Sequence, residues 1–452
     1  MKKMKKNHSN DEYIKMTRFL ASVVILIALT AVFALIWFQI NAEIEVMPFA
    51  KKGHYLIIAL YFALQYIFSR TYGAFRIGYY KAWDIILSQT LATMIVDVLM
   101  YAIMSLIARK LLPILPMINL FVLQLGITII WTMSATLVYK RIYPPRRLVV
   151  VYHDRSAADL VRKMSVRDDK YHICEAIDLD RGFKEVCKCI LAYDGAVIYD
   201  LPSSERNDLL KFCYVNDKRA YVTPKISDIF IRGGENIHLF DTPLLLCRNS
   251  GLTFEERFFK RLIDVVVSIV GLIFAALPML ITAIAIKAYD GGPVFFRQER
   301  VTKDGKVFKI IKFRSMKVDA DEERGEAYSA MKDDDRITPV GKVIRSFRLD
   351  EFPQFLNVLK GDMSVVGPRP EMLENVRDYT EELPEFNFRH KVKAGLTGYA
   401  QIFGKYNTTA YDKLKLDLYY IENYSIRVDI RLILMTIKVL FMRESTEGFD
   451  ET

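Results

Sequence analysis

Hydrophobic residues form long runs in the first third of the chain. The first run, FLASVVILIALTAVFALIWFQI, is too long for a signal-peptide core and fits a membrane-spanning helix. The third run carries Asp97, which is expected to face other helices or to be paired. Few polar residues line these runs, which favours a role in anchoring and dimerisation. The pattern predicts four spans, at about 19–40, 54–69, 83–108 and 114–139.

Basic loops give these spans an orientation. The N-terminus and the loops at 70–82 and 139–147 are rich in Lys and Arg. The positive-inside rule therefore places both ends of the four spans in the cytoplasm.

The pattern changes at residue 147 to short apolar strands alternating with helical stretches. LVVVY (148–152) and GAVIYDLP (195–202) are typical of buried strands. This alternation predicts a small Rossmann-like parallel α/β domain at 147–248. The turn after its first strand, YHDRSAAD, lacks the glycine-rich motif of dinucleotide sites, so a regulatory or dimer-forming domain is expected.

A fifth apolar run is interrupted by Pro278. Proline removes a helix hydrogen bond and bends the chain. Basic residues flank both ends of the run, and both ends therefore favour the cytoplasmic face. We expect a re-entrant helix at 258–288 that enters one leaflet, bends near Pro278 and returns, with a kinked spanning helix as the alternative.

The C-terminal segments 411–425 and 426–443 mix aromatic, apolar and basic residues. The apolar stretch contains Lys438 and is too short to span a membrane. Interfacial amphipathic helices are predicted, and ordinary core helices are the alternative.

Composition and charge narrow the class of partner. The 452 residues are 52% hydrophobic and carry a net charge of +10, typical of a part-membrane, part-soluble protein. A basic excess suits an anionic membrane surface or a phosphate-rich substrate, and nothing resembles a nucleic-acid-binding module. The five cysteines lie at 174–247 without the spacing of a zinc site, so reduced cytosolic thiols are expected.

The stretch RSFRLDEFPQ places two carboxylates, Asp350 and Glu351, side by side. Adjacent helical residues point about 100° apart, so one must act and the other must support it or bind a partner. A helix start and nearby arginines lower an acid's pKa, which predicts an ionised carboxylate. Such a group can bind Mg²⁺ or attack phosphorus, whereas the alternative is a solvated helix start. The surrounding Arg, Lys and turn glycines suit a diphosphate substrate at a membrane surface.

Dense motifs make residues 255–445 resemble the bacterial sugar transferase family. They include KRLIDVVVS, GGPVFFRQER, FKIIKFRSM, GKVIRSFRLDEFPQFLNVLKGDMSVVGPRPE and RHKVKAGLTGYAQ. The last motif departs from the family's frequent PG and WAQ at Ala394 and Tyr399, which concerns local substrate contacts. The whole chain resembles the large form of the family: four spans, an α/β domain, and a monotopic phosphoglycosyl transferase domain at 249–452.

The resemblance implies a two-step exchange at the first membrane step of capsule, exopolysaccharide or O-antigen assembly. Asp350 would bind Mg²⁺ and attack the β-phosphorus of a UDP-sugar, releasing UMP and holding the phosphosugar covalently. Undecaprenyl phosphate would then accept the phosphosugar, and Glu351 would act as a base or orienting group. The resemblance also implies phosphate- or nucleotide-binding roles for Lys312, Arg314, Arg345, Arg369 and His390.

The implied location is the bacterial inner membrane, with the α/β and catalytic domains on the cytoplasmic side and membrane lipids as partners. A homodimer is left open, and no motif identifies the sugar. Two alternatives come from other classes: a UDP-sugar-binding scaffold without turnover, which the intact dyad disfavours, and a transporter of lipid-linked sugars, which the small number of spans disfavours.

Overall fold

The computed structural model describes residues 13–42, 52–153, 156–247, 251–318, 336–404 and 408–440. The chain divides into two compact units, the first ending at Thr223 and the second beginning at Pro224. This division precedes the predicted domain boundary at residue 248, so residues 224–247 lie with the second unit.

Four long helices of the first unit occupy the four predicted hydrophobic runs. Large apolar side chains from them share one core, in which Phe33 and Tyr61 stack with ring centres 4.1 Å apart. Because lipid tails are as apolar as these side chains, close van der Waals packing and interhelical hydrogen bonds stabilise such a bundle in a membrane. The helices are α1 (Ile14–Ala42), α2 (Lys52–Tyr72), α3 (Ala82–Ala108) and α4 (Leu115–Ile142).

Four helices among the described residues are long and apolar enough to cross a membrane. They include α1, α3 and α4, and the fourth is the helix Phe254–Asp290 of the second unit. Helix α2 forms where a span is predicted at 54–69, but it is not among the four. Its sequence mixes apolar residues with Gln65, Ser69 and several tyrosines, which lowers its mean hydropathy.

A four-stranded parallel sheet forms where the sequence predicts alternating strands and helices. Numbered along the chain, its strands lie in the order second, first, third and fourth. Residues 148–151 of the central strand are fully buried, since helices cover both faces of a parallel sheet. All five cysteines are free, and Cys187 and Cys213 pack in this core. The elements are β1 (Arg146–Tyr152), α5 (Ala158–Ser165), β2 (Tyr171–Asp178), α6 (Phe183–Ala192), β3 (Gly195–Tyr199), α7 (Ser203–Val215) and β4 (Arg219–Val222).

The second unit begins with a helix and a hairpin and continues into one helix of 37 residues. Thr253 and Glu256 cap the start of this long helix reciprocally, and Gly291 ends it in the left-handed conformation. Pro278 lies inside it, and the predicted re-entrant path of 258–288 stays a prediction. The elements are α8 (Ile226–Gly233), β5 (Glu235–Leu239), β6 (Thr242–Leu246) and α9 (Phe254–Asp290).

Short elements follow the long helix and build the rest of the second unit. An antiparallel hairpin comes first, and a two-stranded parallel sheet lies between the later helices. They are β7 (Phe295–Val301), β8 (Val307–Phe313), α10 (Pro339–Ser346), α11 (Gln354–Lys360), β9 (Ser364–Val366), α12 (Leu373–Glu382), β10 (Gly395–Thr397), α13 (Tyr399–Phe403), α14 (Ala410–Glu422) and α15 (Ile426–Leu440).

The last two helices contribute to the core of the second unit. Leu414 and Leu418 of α14 are fully buried, and Leu432 of α15 is 1% exposed. Ile430 and Ile437 of α15 remain exposed. The helices therefore pack as core elements on one face, and their predicted interfacial position stays a prediction.

Candidate active site

The site is organised around the parallel strand pair β9–β10. Gly367 follows β9 and donates its amide hydrogen to Thr397 O at 2.8 Å, while Gly395 N donates to Pro368 O at 2.8 Å. A Cβ atom on Gly395 would lie 2.0 Å from Gly367 N, so no side chain fits there. This close approach fixes the loop that carries Arg369.

The acid pair lies in a short 3₁₀ turn, Leu349–Glu351, between α10 and α11. Arg348 precedes the turn in the left-handed conformation, with a φ of 53°. This conformation is costly for a residue other than glycine, and such strain is typical of functional sites. The turn sends the two carboxylates into different surroundings.

Glu351 is held by three cationic side chains. Its Oε1 lies 3.1 Å from Arg369 Nη2 and 3.9 Å from Lys312 Nζ, and its Oε2 lies 4.0 Å from Arg348 Nη1. Burial opposes ionisation, but the charge of Arg369, followed by Lys312 and Arg348, outweighs it and lowers the pKa of Glu351 to about 2. Glu351 is therefore ionised near pH 7.

The pKa of Asp350 is shifted in the opposite direction from the pKa of Glu351. Burial raises its pKa and the charge of Glu351 adds to this, while Lys312, Arg345 and Arg369 offset only a part. This is opposite to the expectation from its position near a helix start, because desolvation outweighs the nearby cations. Within the described part of the chain, no group forms a hydrogen bond with the Asp350 carboxylate.

These features make Asp350 suited to a cation. Its oxygens are hard ligands of the kind that Mg²⁺ prefers, and they are not occupied by a described side chain. A bound divalent ion would also lower the pKa of this carboxyl group. The donor chemistry therefore fits Mg²⁺ at Asp350.

Lys312 and Arg300 contribute positive charge from the hairpin β7–β8. Burial lowers the pKa of Lys312 to about 8, and burial together with the charge of Arg369 lowers the pKa of Arg300 to about 10. Arg300 Nη1 also donates to Pro370 O at 3.3 Å. Both side chains line a small cavity whose charged and amide residues are Arg300, Lys312, Glu351, Gln354, Arg369 and Gln401.

The sequence reasoning assigned no site role to Arg300, Gln354 or Gln401. Arg300 could have been found from strand alternation. In the hairpin Gln298 pairs with Ile310, so Arg300 and Lys312, each two residues further on, lie on the same face. Gln401 gives no comparable local signal, since only the packing of α13 beside β10 brings it to the cavity.

Two of the predicted phosphate-binding arginines have different surroundings. Arg314 forms a two-pronged ion pair with Asp290 at the end of α9, with Nη1 to Oδ2 at 2.8 Å. Arg345 lies in the last turn of α10, and its charge acts on Asp350. Its Nη1 is buried and, among the described residues, has no hydrogen-bond partner. Arg345 thus lies near the acid pair, whereas Arg314 is held by its ion pair with the last residue of α9.

His390 lies in the 3₁₀ helix Pro384–Lys391 and is not among the residues that line the cavity. Burial, with a contribution from Arg389, lowers the pKa of His390 to about 4, so the imidazole is neutral near pH 7. Its neighbour Arg389 instead donates from Nη2 to Arg369 O at 2.9 Å and pairs with Asp417 at 2.8 Å. Arg389, which the sequence reasoning missed, therefore positions the loop that carries Arg369 through this backbone hydrogen bond.

Comparison with known proteins gives a consistent result for this part of the chain. Residues 255–443 match the family model described as bacterial sugar transferase. A UDP-N-acetylgalactosamine-undecaprenyl-phosphate N-acetylgalactosaminephosphotransferase from Aeromonas hydrophila is 42% identical over 186 residues, which cover 40% of this chain and 44% of the relative. A UDP-glucose:undecaprenyl-phosphate glucose-1-phosphate transferase from Klebsiella pneumoniae is 42% identical over 257 residues, 56% of this chain and 53% of the relative.

A shorter relative matches over nearly its whole length. The exopolysaccharide production protein PSS from Rhizobium leguminosarum bv. phaseoli is 41% identical over 186 residues, 39% of this chain and 92% of the relative. The matching part of the chain thus spans about half the length of the Aeromonas and Klebsiella proteins and nearly all of the Rhizobium protein.

Proposed function

Because the chain belongs to the bacterial sugar transferase family, we propose that it transfers a sugar 1-phosphate from a UDP-sugar to undecaprenyl phosphate. The products are undecaprenyl-diphosphate-sugar and UMP. Two relatives named for this reaction, one with N-acetylgalactosamine and one with glucose, support the substrate classes. Their different sugars leave the identity of the sugar open.

The observation that carries this proposal is the asymmetry of the acid pair. Glu351 is locked by Arg369 at 3.1 Å and stays ionised, while Asp350 keeps its oxygens free of hydrogen bonds from described groups. A carboxylate without such bonds can become a covalent nucleophile, and its ionised neighbour can hold the cations that bind phosphate.

In the first step an Asp350 oxygen attacks the β-phosphorus and the bond from that phosphorus to the UMP oxygen breaks. UMP leaves with the electron pair of that bond, and the phosphosugar stays on Asp350 as an acyl phosphate. In the second step a phosphate oxygen of undecaprenyl phosphate attacks the same phosphorus, and the Asp350 carboxylate is released. When bound, Mg²⁺ would neutralise part of the negative charge of the diphosphate, and Asp350 is its proposed ligand.

The basic residues around the cavity support diphosphate binding. Arg369 and Lys312 face Glu351, and Arg300 lies on the same hairpin face as Lys312. Arginine offers planar pairs of donors to phosphate oxygens. We also propose a phosphate contact for the buried Arg345 Nη1. Arg314 and His390 are weaker candidates, because Arg314 already pairs with Asp290 and His390 does not line the cavity.

The membrane arrangement is part of the proposal. Helix α9 with Pro278 would enter one leaflet and return, and α14 and α15 would lie at the interface. The lipid substrate would then reach the cavity from the inner membrane while the catalytic part stays in the cytoplasm.

Release of UMP from a panel of UDP-sugars tests this function. We expect the full chain in lipid, with Mg²⁺ and undecaprenyl phosphate, to release UMP from one donor. Asp350→Asn should lower the rate by at least about 10³-fold, as removal of a covalent nucleophile does. Asp304→Asn, an exposed acid on the hairpin, is the matched control and should keep the rate.

The same experiment can overturn the proposal. Undiminished UMP release by Asp350→Asn would remove Asp350 as the nucleophile. Folded wild-type protein that binds a UDP-sugar but releases no UMP would instead indicate a scaffold without turnover.

A further inference from the structure

The inside of the helical bundle α1–α4 carries polar residues at helical spacing. They are Tyr61, Gln65 and Ser69 on α2, Gln89, Thr93 and Asp97 on α3, and Gln124, Thr128 and Thr132 on α4. Within each helix these residues are four apart, so they lie along one face. All nine are buried, none more than 6% exposed. We call this set the polar seam.

Hydrogen bonds join the seam between α2 and α3. Gln65 Nε2 donates to Thr93 Oγ1 at 2.9 Å, and Gln89 Nε2 donates to Ser69 Oγ at 3.1 Å. These two pairs define an antiparallel register. One helical turn further along, the same register places Tyr61 beside Asp97.

The Asp97 end of the seam has no cationic side chain paired with the carboxylate among the described residues. Gln124 Nε2 donates to Tyr61 OH at 2.8 Å, and the same amide faces the Asp97 carboxylate. Both Asp97 oxygens are buried and, among the described residues, have no hydrogen-bond partner. The same is true of the side-chain oxygens of Gln65, Gln89 and Gln124. With the hydroxyl oxygen of Thr132, six buried side-chain oxygen atoms of the seam therefore have no hydrogen-bond partner among the described residues.

Such a set attracts positive charge. A buried carboxylate is unfavourable unless its charge is neutralised, and in a membrane protein such a residue marks a functional site. Tyr61 from α2 and the neutral Gln124 from α4 face Asp97, and α1 adds apolar residues such as Phe33 and Trp37 to the core cluster. No cationic side chain forms an ion pair with Asp97 within the described residues. One positive charge would balance the site.

We propose that the polar seam binds a single monovalent cation at Asp97, either a proton or an alkali ion such as Na⁺. Carboxylate and amide oxygens are hard ligands that suit an alkali ion, and a carboxylate oxygen equally accepts a proton. Asp97 belongs to the first unit and Asp350 to the second.

Thermal unfolding of the full chain in lipid nanodiscs tests the site, with sodium chloride compared with choline chloride at equal ionic strength. If Na⁺ binds, sodium raises the Tm of the wild type. If a proton binds, sodium has no effect and the unfolding equilibrium constant rises by up to about tenfold per pH unit as pH increases. In that case, the infrared spectrum of the wild-type protein should also show the carbonyl band of a buried protonated carboxyl group.

Two variants assign the effect to Asp97. Asp97→Asn keeps the shape of the side chain. If Na⁺ binds, this variant should lose the increase of Tm in sodium. If a proton binds, it should lose the excess pH dependence of unfolding and the infrared band. Asp84→Asn, in the first turn of the same helix and outside the seam, should keep them. The proposal would be overturned if the wild-type protein had equal Tm in both salts and no protonated-carboxyl band. The polar seam would then serve only the packing of the helices. That comparison needs no variant, so it decides even if Asp97→Asn does not fold.

Discussion

Two adjacent carboxylates have different chemistry because their contacts come from different parts of the chain. Glu351 meets Lys312 from the hairpin and Arg369 from the loop after β9. Asp350 receives burial but no described hydrogen bond, and its pKa is raised. Both residues are carboxylic acids, so the difference between their pKa shifts follows from their different surroundings in the fold.

Lys312 predicts a pH dependence at the residue scale. Its pKa is lowered to about 8, so its positive charge is present below that value and is lost as pH rises through it. We expect kcat/KM for the UDP-sugar to fall above about pH 8, because this ratio reports ionisation in the free enzyme. Lys312→Arg should keep the charge and move this fall to higher pH.

Initial rates of UMP release across pH measure this effect. Lys309→Arg, at an exposed position on the same strand, is the control and should keep the wild-type profile. An unchanged basic limb in Lys312→Arg would contradict the assignment to Lys312.

Ala394 shows how a departure from the family pattern can be structural. The residue stands where the family often has proline, and its amide hydrogen is donated to Thr302 Oγ1 at 3.1 Å. Proline has no such donor. The substitution therefore changes how β10 is fastened to the loop after β7.

At the scale of elements, one face of α9 holds β9 and the last two helices through hydrogen bonds. Lys260 Nζ donates to Val366 O at 2.8 Å, Tyr420 OH at 2.9 Å and Asp429 Oδ2 at 2.8 Å. One turn on, Asp264 Oδ1 accepts a hydrogen bond from Val365 N at 2.8 Å. The motif KRLIDVVVS thus holds β9, which leads directly into the Arg369 loop.

Loss of Lys260 predicts a large fall in stability. Lys260→Met leaves Asp429 buried without its cation, which should lower the free energy of unfolding by about 3–5 kcal/mol. Denaturant unfolding in lipid measures this. Lys287→Met, at an exposed position of the same helix, should cost far less. Lys260→Met combined with Asp429→Leu should recover part of the loss, and no recovery would contradict the ion-pair explanation.

At the scale of the molecule, the division at Thr223 shows which residues belong to the second unit. Helix α8 lies before the family match that begins at residue 255, yet Ile229 is 4% exposed and belongs to the same core cluster as Leu414 and Leu418. The second unit therefore includes a helix that the match does not cover.

Two shortened chains test this boundary. A chain that begins at Pro224 should unfold with more free energy than one that begins at Gly251, by about 2–4 kcal/mol, since it keeps the burial of Ile229 and Phe230. We also expect the longer chain to release UMP without the first unit. Equal stability of the two chains, measured by denaturant unfolding, would mean that α8 does not stabilise the second unit.

Sequence alone determined the features that depend on neighbours along the chain. Long hydrophobic runs located the bundle helices, short apolar runs located β1 and β3, and local motifs identified the family and the acid pair. Only the tertiary structure decided that the pKa of Glu351 is lowered while that of Asp350 is raised, that Arg314 pairs with Asp290, and that Arg389 supports Arg369. The physical reason is distance along the chain: Lys260 and Asp429, for example, are 169 residues apart and meet only on folding.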